Sequence, residues 1–442
     1  MTLLEKLQPA LTTGPETWGA RHAHDPTVVR DDDGTYYLFS TDAVANSANI
    51  PAGVHVRSSP DLLEWTYRGT ALDGVPEPAF EWSGAKGLWA PEVVRWPSAA
   101  GENRWHMYYS ASTFGSSTSA IGLAVADKLT GPWEDRGLVV RTLAGRDSQN
   151  AIDAAVTFDR NGDPWLTYGS FFSGIHTLRL NPETGMAQSP EDLGTCIARR
   201  SPDVDRAIEG AFIQYRAEDD RYVLFVSYDS LFNTYNVRVA VAEEITGPYR
   251  DVNGADMTDV DTAPHAVGTK VLGSYRFDGD TSWLAPGHNS ILTVPTGESG
   301  VEEQFMVHHV RFAEDATQHI VQLRRVFTTA KGWPVVSPQP YAGPERETLA
   351  SAAGITGIWR VVRFAPGSPE PVEAQPMTVH DDGAVTSAGE PCRASLTLSG
   401  DGVDAHLDAV VFGSWDFSRN RSALSFSGID EHGVVYSGTQ GA

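Results

Sequence analysis

The run DPTVVRDDDGTYYLFSTD, residues 25–42, holds a β-branched strand, an Asp-rich turn ending in Gly34, and a second strand opened by two tyrosines. A short apolar run, a turn of Asp and Gly, and an aromatic-rich return describe a β-hairpin. The layout recurs four times: PEVVRWPSAAGENRWHMYYSAS from Pro91, DAAVTFDRNGDPWLTYGS from Asp153, EGAFIQYRAEDDRYVLFVSYD from Glu209 and HNSILTVPTGESGVEEQFMVHHV from His288. Second strands are expected to begin near Tyr36, Trp105, Trp165, Tyr222 and Phe305. A third strand and a turn into a fourth follow in VHVRSSPDLLEWTYRG, IGLAVADKLTGPWEDRG, NVRVAVAEEITGPYRDVNG and QLRRVFTTAKGWPVVSP, with IHTLRLNPETGMAQ as a weaker copy. Helical periodicity is almost absent. Five repeats of four strands predict an all-β chain with a five-bladed β-propeller over residues 21–345. Two stacked β-sandwiches are the rival, but they give no reason for a polar residue at one phase of every repeat.

The first strand of each propeller blade lines the central channel, so Asp25, Glu92, Asp153, Glu209 and His288 are expected to converge at the axis. A single acid at a strand edge is more often a turn or cap residue than a catalyst. Caps have no reason to keep step with the blades, and five in register point to a site. After the last blade, AGPERETLASAAG reads as a linker. Residues 355–442, with IWRVVRF, ASLTLSG, AVVFGSWDF and GVVYSGT, predict a small C-terminal β-barrel or β-sandwich that packs or contacts carbohydrate. Residues 1–20 are expected to lie against the propeller.

The length of 442 residues leaves room for a large and a small domain. Lys and Arg number 33 against 57 Asp and Glu, a net charge of -24. Such a surface repels phosphate backbones and anionic lipid, so neither nucleic acid nor membrane is expected as a partner. Cys196 and Cys392 are the two cysteines, which excludes a disulfide scaffold and a cysteine zinc site. The first twenty residues contain no apolar run long enough for a signal-peptide core. That places the chain as it stands in the cytoplasm, or outside the cell if a leader has been removed.

Acids gathered in one funnel suit glycoside hydrolysis, which needs one protonated carboxyl and one carboxylate on opposite faces of a sugar. Trp89 and Phe114 are candidates to stack on sugar rings, or equally to fill the core. Asn150, Ser170 and Tyr235 are placed to reach substrate from neighbouring motifs. Glu92 is either a sugar contact or a contact that closes blades together, and it stays outside the catalytic set. His288 has three readings: a satisfied core histidine, a substrate contact or a metal ligand.

These motifs, taken in order from His24 to about Pro338, resemble glycoside hydrolase family 43, and within it most nearly the endo-α-1,5-L-arabinanases. HDPTVV, NAIDAAVTFD and IEGAFI resemble its three acidic motifs. GLWAPEV, ASTFGSSTSAIGLA, YGSFFSGI, YNVRVA, APGHNSIL and FTTAKGWPVVSP resemble arabinanase segments in the same sequence order. The resemblance implies Asp25 as catalytic base, Asp153 as the residue that orients and tunes the acid, and Glu209 as general acid, acting with inversion on arabinan or arabino-oligosaccharides. It also implies that His288 holds a calcium ion largely surrounded by water. Ala154 stands where the family commonly has proline. An exo-acting α-L-arabinofuranosidase or β-xylosidase would use the same three carboxylates. A non-catalytic carbohydrate-binding propeller would keep the aromatics without needing all three.

Overall fold

The computed structural model describes residues 14–42, 50–97, 104–277, 282–296, 301–349, 353–368, 370–381, 385–386 and 389–441. Blade 1 is β1 (His24–Arg30), β2 (Tyr36–Thr41), β3 (His55–Ser59) and β4 (Thr66–Thr70). Blade 2 is β5 (Trp89–Trp96), β6 (Arg104–Ala111), β7 (Ser119–Ala126) and β8 (Glu134–Thr142). Blade 3 is β9 (Ala155–Phe158), β10 (Pro164–Tyr168), β11 (Ile175–Arg179) and β12 (Thr195–Ala198). Blade 4 is β13 (Ile208–Arg216), β14 (Arg221–Tyr228), β15 (Asn236–Ala242) and β16 (Thr269–Leu272). Blade 5 is β17 (Tyr275–Arg276), β18 (Trp283–Thr296), β19 (Val301–Phe312), β20 (Asp315–Thr328) and β21 (Pro334–Val336).

The first four second strands begin within a residue of the expected positions. The fifth begins earlier, at Val301, because β18 and β19 pair as far as Thr296 and Val301. The hairpin turns follow from the sequence. In blade 1, Asp31 and Thr35 pair across the turn while Gly34 takes φ 92°, a conformation that costs glycine nothing. Apolar faces of successive blades then pack on one another. Phe39 and Val56 of blade 1 share a core with Met107, Tyr109 and Ala124 of blade 2, and Tyr108 and Leu123 share one with Val156 and Leu166 of blade 3. Each buried Val, Leu, Met or Phe among them contributes about 1.5–3 kcal/mol, and the stacking fixes where every first strand meets the axis.

The ring closes between blades 5 and 1. Val321 N–H donates to the Ala20 carbonyl and His22 N–H to that of His319, while Trp18 is buried nearby. The rest of the N-terminal segment, residues 1–13, lies outside the described residues. Six strands from Gly357–Phe364 to Val435–Gln440 form a closed barrel, the first pairing with the last. The barrel is tied to blade 5: strand Val372–Glu373 pairs in parallel with β17, covering an otherwise open sheet edge. The buried Lys270 and Glu370 form an ion pair across the same junction, and Glu370 also accepts the Ser274 N–H. Both cysteines are free and partly exposed. No described helix is long and apolar enough to cross a membrane.

Candidate active site

The strand registers define the axial phase. A bulge interrupts β1 between His24 and Thr27, β5 between Trp89 and Glu92, β13 between Glu209 and Phe212, and β18 between Gly287 and Ser290. The residue after the first of each pair has positive φ: Asp25, Ala90, Gly210 and His288, with Asp153 at the matching place in blade 3. Left-handed backbone at a non-glycine residue costs roughly 1–2 kcal/mol, and it re-aims the side chain. Asp153 reaches this conformation with Ala154, as Asp25 does with Pro26.

Two sequence expectations are corrected here. Glu92 is two residues past the axial phase, and the blade 2 residue at that phase is Ala90. Glu92 is buried between blades and hydrogen-bonded to Thr27 and the Val156 backbone, and burial pushes its carboxyl up to about 8. Glu209 is one residue before the phase, which belongs to Gly210. A Cβ at Gly210 would stand 3.1 Å from the His288 ring, tighter than ordinary contact, and φ there is 57°, so both the space and the backbone favour glycine.

Each axial N–H is capped from the preceding blade. Thr41 Oγ1 accepts from Ala90 N–H (2.8 Å), Ser110 Oγ from Asp153 (2.9 Å), Ser227 Oγ from His288 (2.8 Å) and His309 Nδ1 from Asp25 (3.3 Å). Blade 3 has Gly169 at the capping place. There, the Asp153 carboxylate accepts the Gly210 N–H at 3.3 Å.

A funnel of about 1110 Å³ opens over this ring, lined by Asp25, Asp153, Glu209 and His288 among others. Asp25 Oδ2 accepts the Thr41 hydroxyl at 2.6 Å, and Oδ1 lies 2.9 Å from His24 Nδ1 and 3.1 Å from His288 Nδ1. Burial opposes the Asp25 charge, but His24 and His288 outweigh it and hold the carboxyl well below its ordinary range. His309 is neutral: its Nδ1 accepts a backbone N–H, and burial holds its pKa well below the usual value. Glu209 is pushed up by burial, against the hydrogen bonds donated by Ser170 (2.7 Å) and Tyr235 (2.9 Å). Asp153 is raised by burial and then by the charges of Glu209 and Asp25. Burial and mutual repulsion thus disfavour ionising both carboxyls together.

Trp89, Phe114, Asn150 and Ser170 line the funnel. Phe114 is 82% exposed, whereas Asn150 is buried and accepts the Ser119 hydroxyl. Tyr235 is buried behind Glu209, where its hydroxyl serves the acid instead of facing the funnel. Sequence reasoning missed Phe172 and Phe232, which are 40% and 55% exposed on the same wall. The signal was present: Ser112-Thr113-Phe114, Ser170-Phe171-Phe172 and Ser230-Leu231-Phe232 repeat one pattern after successive second strands.

His24, Asp25 and His309 bring potential ligand atoms within 4.8 Å of one another, a spacing able to hold a metal ion. Calcium takes six to eight oxygens, and this group offers one carboxylate among imidazoles. His288 is better disposed. Its Nδ1 faces Asp25 Oδ1 at 3.1 Å and its Nε2 is turned away from that contact, the disposition of a carboxylate-oriented metal histidine. The donors fit a cation that keeps most of its water, and they make no protein cage for calcium.

Residues 19–334 match Glycosyl hydrolases family 43. The chain belongs to that family. It is 28% identical over 465 residues to Extracellular endo-alpha-(1->5)-L-arabinanase 2 of Bacillus subtilis (strain 168), covering 94% of this chain and 92% of that protein. It is 31% identical over 337 residues to Extracellular exo-alpha-(1->5)-L-arabinofuranosidase ArbA of Cellvibrio japonicus (strain Ueda107), covering 71% of this chain and 86% of that one. The crystal structure of endo-1,5-alpha-L-arabinanase from Thermotoga petrophila RKU-1 superposes with a TM-score of 0.79 at 26% identity, covering 95% and 98% of the two chains. This family 43 chain is therefore a glycoside hydrolase.

Proposed function

We propose that this enzyme hydrolyses internal α-1,5-L-arabinofuranosyl linkages of arabinan or arabino-oligosaccharides with inversion. The observation that carries the reading is the contrast between two carboxyls in one funnel: Asp25 meets the ring nitrogens of His24 and His288 at 2.9 and 3.1 Å, which favour its ionised form, while Glu209 is buried against the hydroxyls of Ser170 and Tyr235, where burial pushes it toward its acid form. Asp25 removes a proton from water as the water attacks the anomeric carbon, and Glu209 gives its proton to the departing oxygen. Three of the four lone-pair positions of Asp25 face Thr41, His24 and His288, so the fourth, on Oδ2, is the place for that water. Ser170 and Tyr235 hold Glu209 and stabilise the carboxylate it becomes, so their hydrogen bonds strengthen as the bond breaks. Asp153 keeps a proton on the buried pair.

Trp89, Phe114, Phe172 and Phe232 supply stacking faces for several furanose rings, which favours cleavage within a chain. The likeness to an exo-acting relative supports release of single sugars as the second reading. Relatives named as extracellular support secretion over the cytoplasmic placement expected from the sequence. His288 would hold a cation such as calcium, whose charge would favour ionised carboxylates nearby.

Incubation with linear α-1,5-arabinan, an aryl arabinofuranoside and an aryl xyloside tests the proposal. A ladder of oligosaccharides, with the inverted anomer seen first by NMR, is expected. Arabinose alone would assign exo action, and no product from any substrate would leave only sugar binding.

A further inference from the structure

We propose that Arg311 is a positioning residue for the base: it sets the tautomer of His24 and thereby the orientation of the Asp25 carboxylate. The inference rests on the reading of Asp25 as base. Arg311 lies on β19 in blade 5, 8% exposed, and each of its three guanidinium nitrogens has a partner. Nε donates to the Leu231 carbonyl (2.9 Å), Nη1 to the Ala316 carbonyl (2.8 Å), and Nη2 lies 3.3 Å from His24 Nε2.

A guanidinium has no lone pair to offer, so this contact is a hydrogen bond only with a neutral His24 that accepts at Nε2, the form that the adjacent Arg311 charge favours. The His24 proton is then on Nδ1, where it donates to Asp25 Oδ1 at 2.9 Å. The other tautomer would set a lone pair of Nδ1 against the carboxylate. Tilting of the ring is opposed by its stack on His309 at 3.8 Å and 19°, and a half-turn within that plane would carry both nitrogens away from their partners. Stacking thus fixes the plane of the ring, and Arg311 fixes its proton. His309 carries the opposite tautomer, since its Nδ1 accepts the Asp25 N–H. The same guanidinium lies 5.6 Å from the centre of the Phe232 ring and anchors the carbonyl before it, so one residue joins the base to the aromatic wall.

The test uses the full chain with a linear α-1,5-arabino-oligosaccharide. Arg311→Met is expected to lower kcat by about 10- to 100-fold, as loss of a residue that orients an active group does. Arg311→Lys, which retains one donor, should recover part of that loss. In a His24→Asn background, Arg311→Met should lower kcat no further, because its route to Asp25 is already gone. Imidazole ¹⁵N spectra should show His24 moving from a single Nδ1–H form to a mixture in Arg311→Met. Losses that multiply in the double variant, or an Arg311→Met that raises KM with kcat intact, would overturn the proposal. If Arg311→Met does not fold, Arg311→Lys decides: a several-fold fall in kcat supports the proposal and an unchanged kcat refutes it. Asp25→Asn separates the underlying reading, which fails if that variant keeps its turnover whatever Arg311 does.

Discussion

Glu92→Gln is expected to remove a pH-dependent loss of stability while leaving turnover in place. The Glu92 carboxyl is buried between blades, and burial moves it from an ordinary 4.5 to about 8. Below pH 4.5 the residue is protonated in both folded and unfolded chains and contributes no pH dependence. Above it, the unfolded chain releases the proton freely while the folded chain retains it until about pH 8. Each pH unit in that window costs about 1.4 kcal/mol of stability, so the wild type loses up to roughly 5 kcal/mol as pH rises across it. Glutamine has the same shape and no titration, but its amide group brings a buried donor with no assured acceptor, a penalty of about 1–3 kcal/mol. The two stability profiles should therefore cross, with the variant weaker at pH 5 and stronger at pH 8.5. Thermal unfolding midpoints from pH 5 to 8.5, alongside kcat on arabino-oligosaccharide, make the measurement. Parallel profiles would refute the argument from burial, and a hundredfold loss of kcat with unchanged stability would return Glu92 to the catalytic set.

Asp25→Asn and Glu209→Gln should each lower kcat by about 10²–10⁴, with Glu209→Gln largely spared on an aryl arabinofuranoside whose leaving group needs no proton; equal losses on both substrates would contradict the acid role. Asp153→Asn removes a charge that keeps the Glu209 proton in place, so Glu209 titrates lower and the alkaline limb of the kcat/KM profile shifts toward acid; an unmoved limb counts against it. Phe172→Ala and Phe232→Ala should raise KM for long oligosaccharides more than for an aryl arabinofuranoside, which equal effects on both would disprove. Exhaustive dialysis against chelator should lower the thermal midpoint or the activity, restored by calcium, if His288 holds a cation; no change in either would remove the ion.

The blades were legible because each hairpin carries its own turn chemistry, such as the Asp31–Gly34 turn, and because apolar runs of strand length alternate with it. The axial phase was legible only in part. Asp25, Asp153 and His288 share it, but Glu92 and Glu209 were misplaced by two residues and by one. A bulge adds a residue without changing composition, so counting from the start of an apolar run cannot detect it. The aligned prolines of HDPT and APEV, Pro26 and Pro91, pair Asp25 with Ala90 and were the usable clue. His309 and Arg311 carried no such clue. His309 reaches Asp25, and Arg311 reaches His24, only because blade 5 closes on blade 1, a contact between residues 284 apart for His309.

The gap in the ring of caps gives the two central acids different chemistry. A Cβ at Gly169 would lie 2.3 Å from the Gly174 carbonyl oxygen, so blade 3 cannot present a capping side chain to blade 4. The Asp153 carboxylate fills that place, and its Oδ2 accepts from Gly210, next in sequence to Glu209. A backbone N–H can only donate, so this oxygen of Asp153 is held as an acceptor and is poorly suited to carry a proton. The partners of Glu209 are the hydroxyls of Ser170 and Tyr235, and a hydroxyl can accept as readily as donate. Protonated Glu209 can thus keep its hydrogen bonds by turning a hydroxyl, whereas a proton on Asp153 Oδ2 would break its bond to Gly210. Glu209 can therefore take up or release a proton on either oxygen without losing a hydrogen bond, whereas Asp153 can hold one without such a loss only on Oδ1, which suits Glu209 to the transfer and Asp153 to a fixed supporting place beside it.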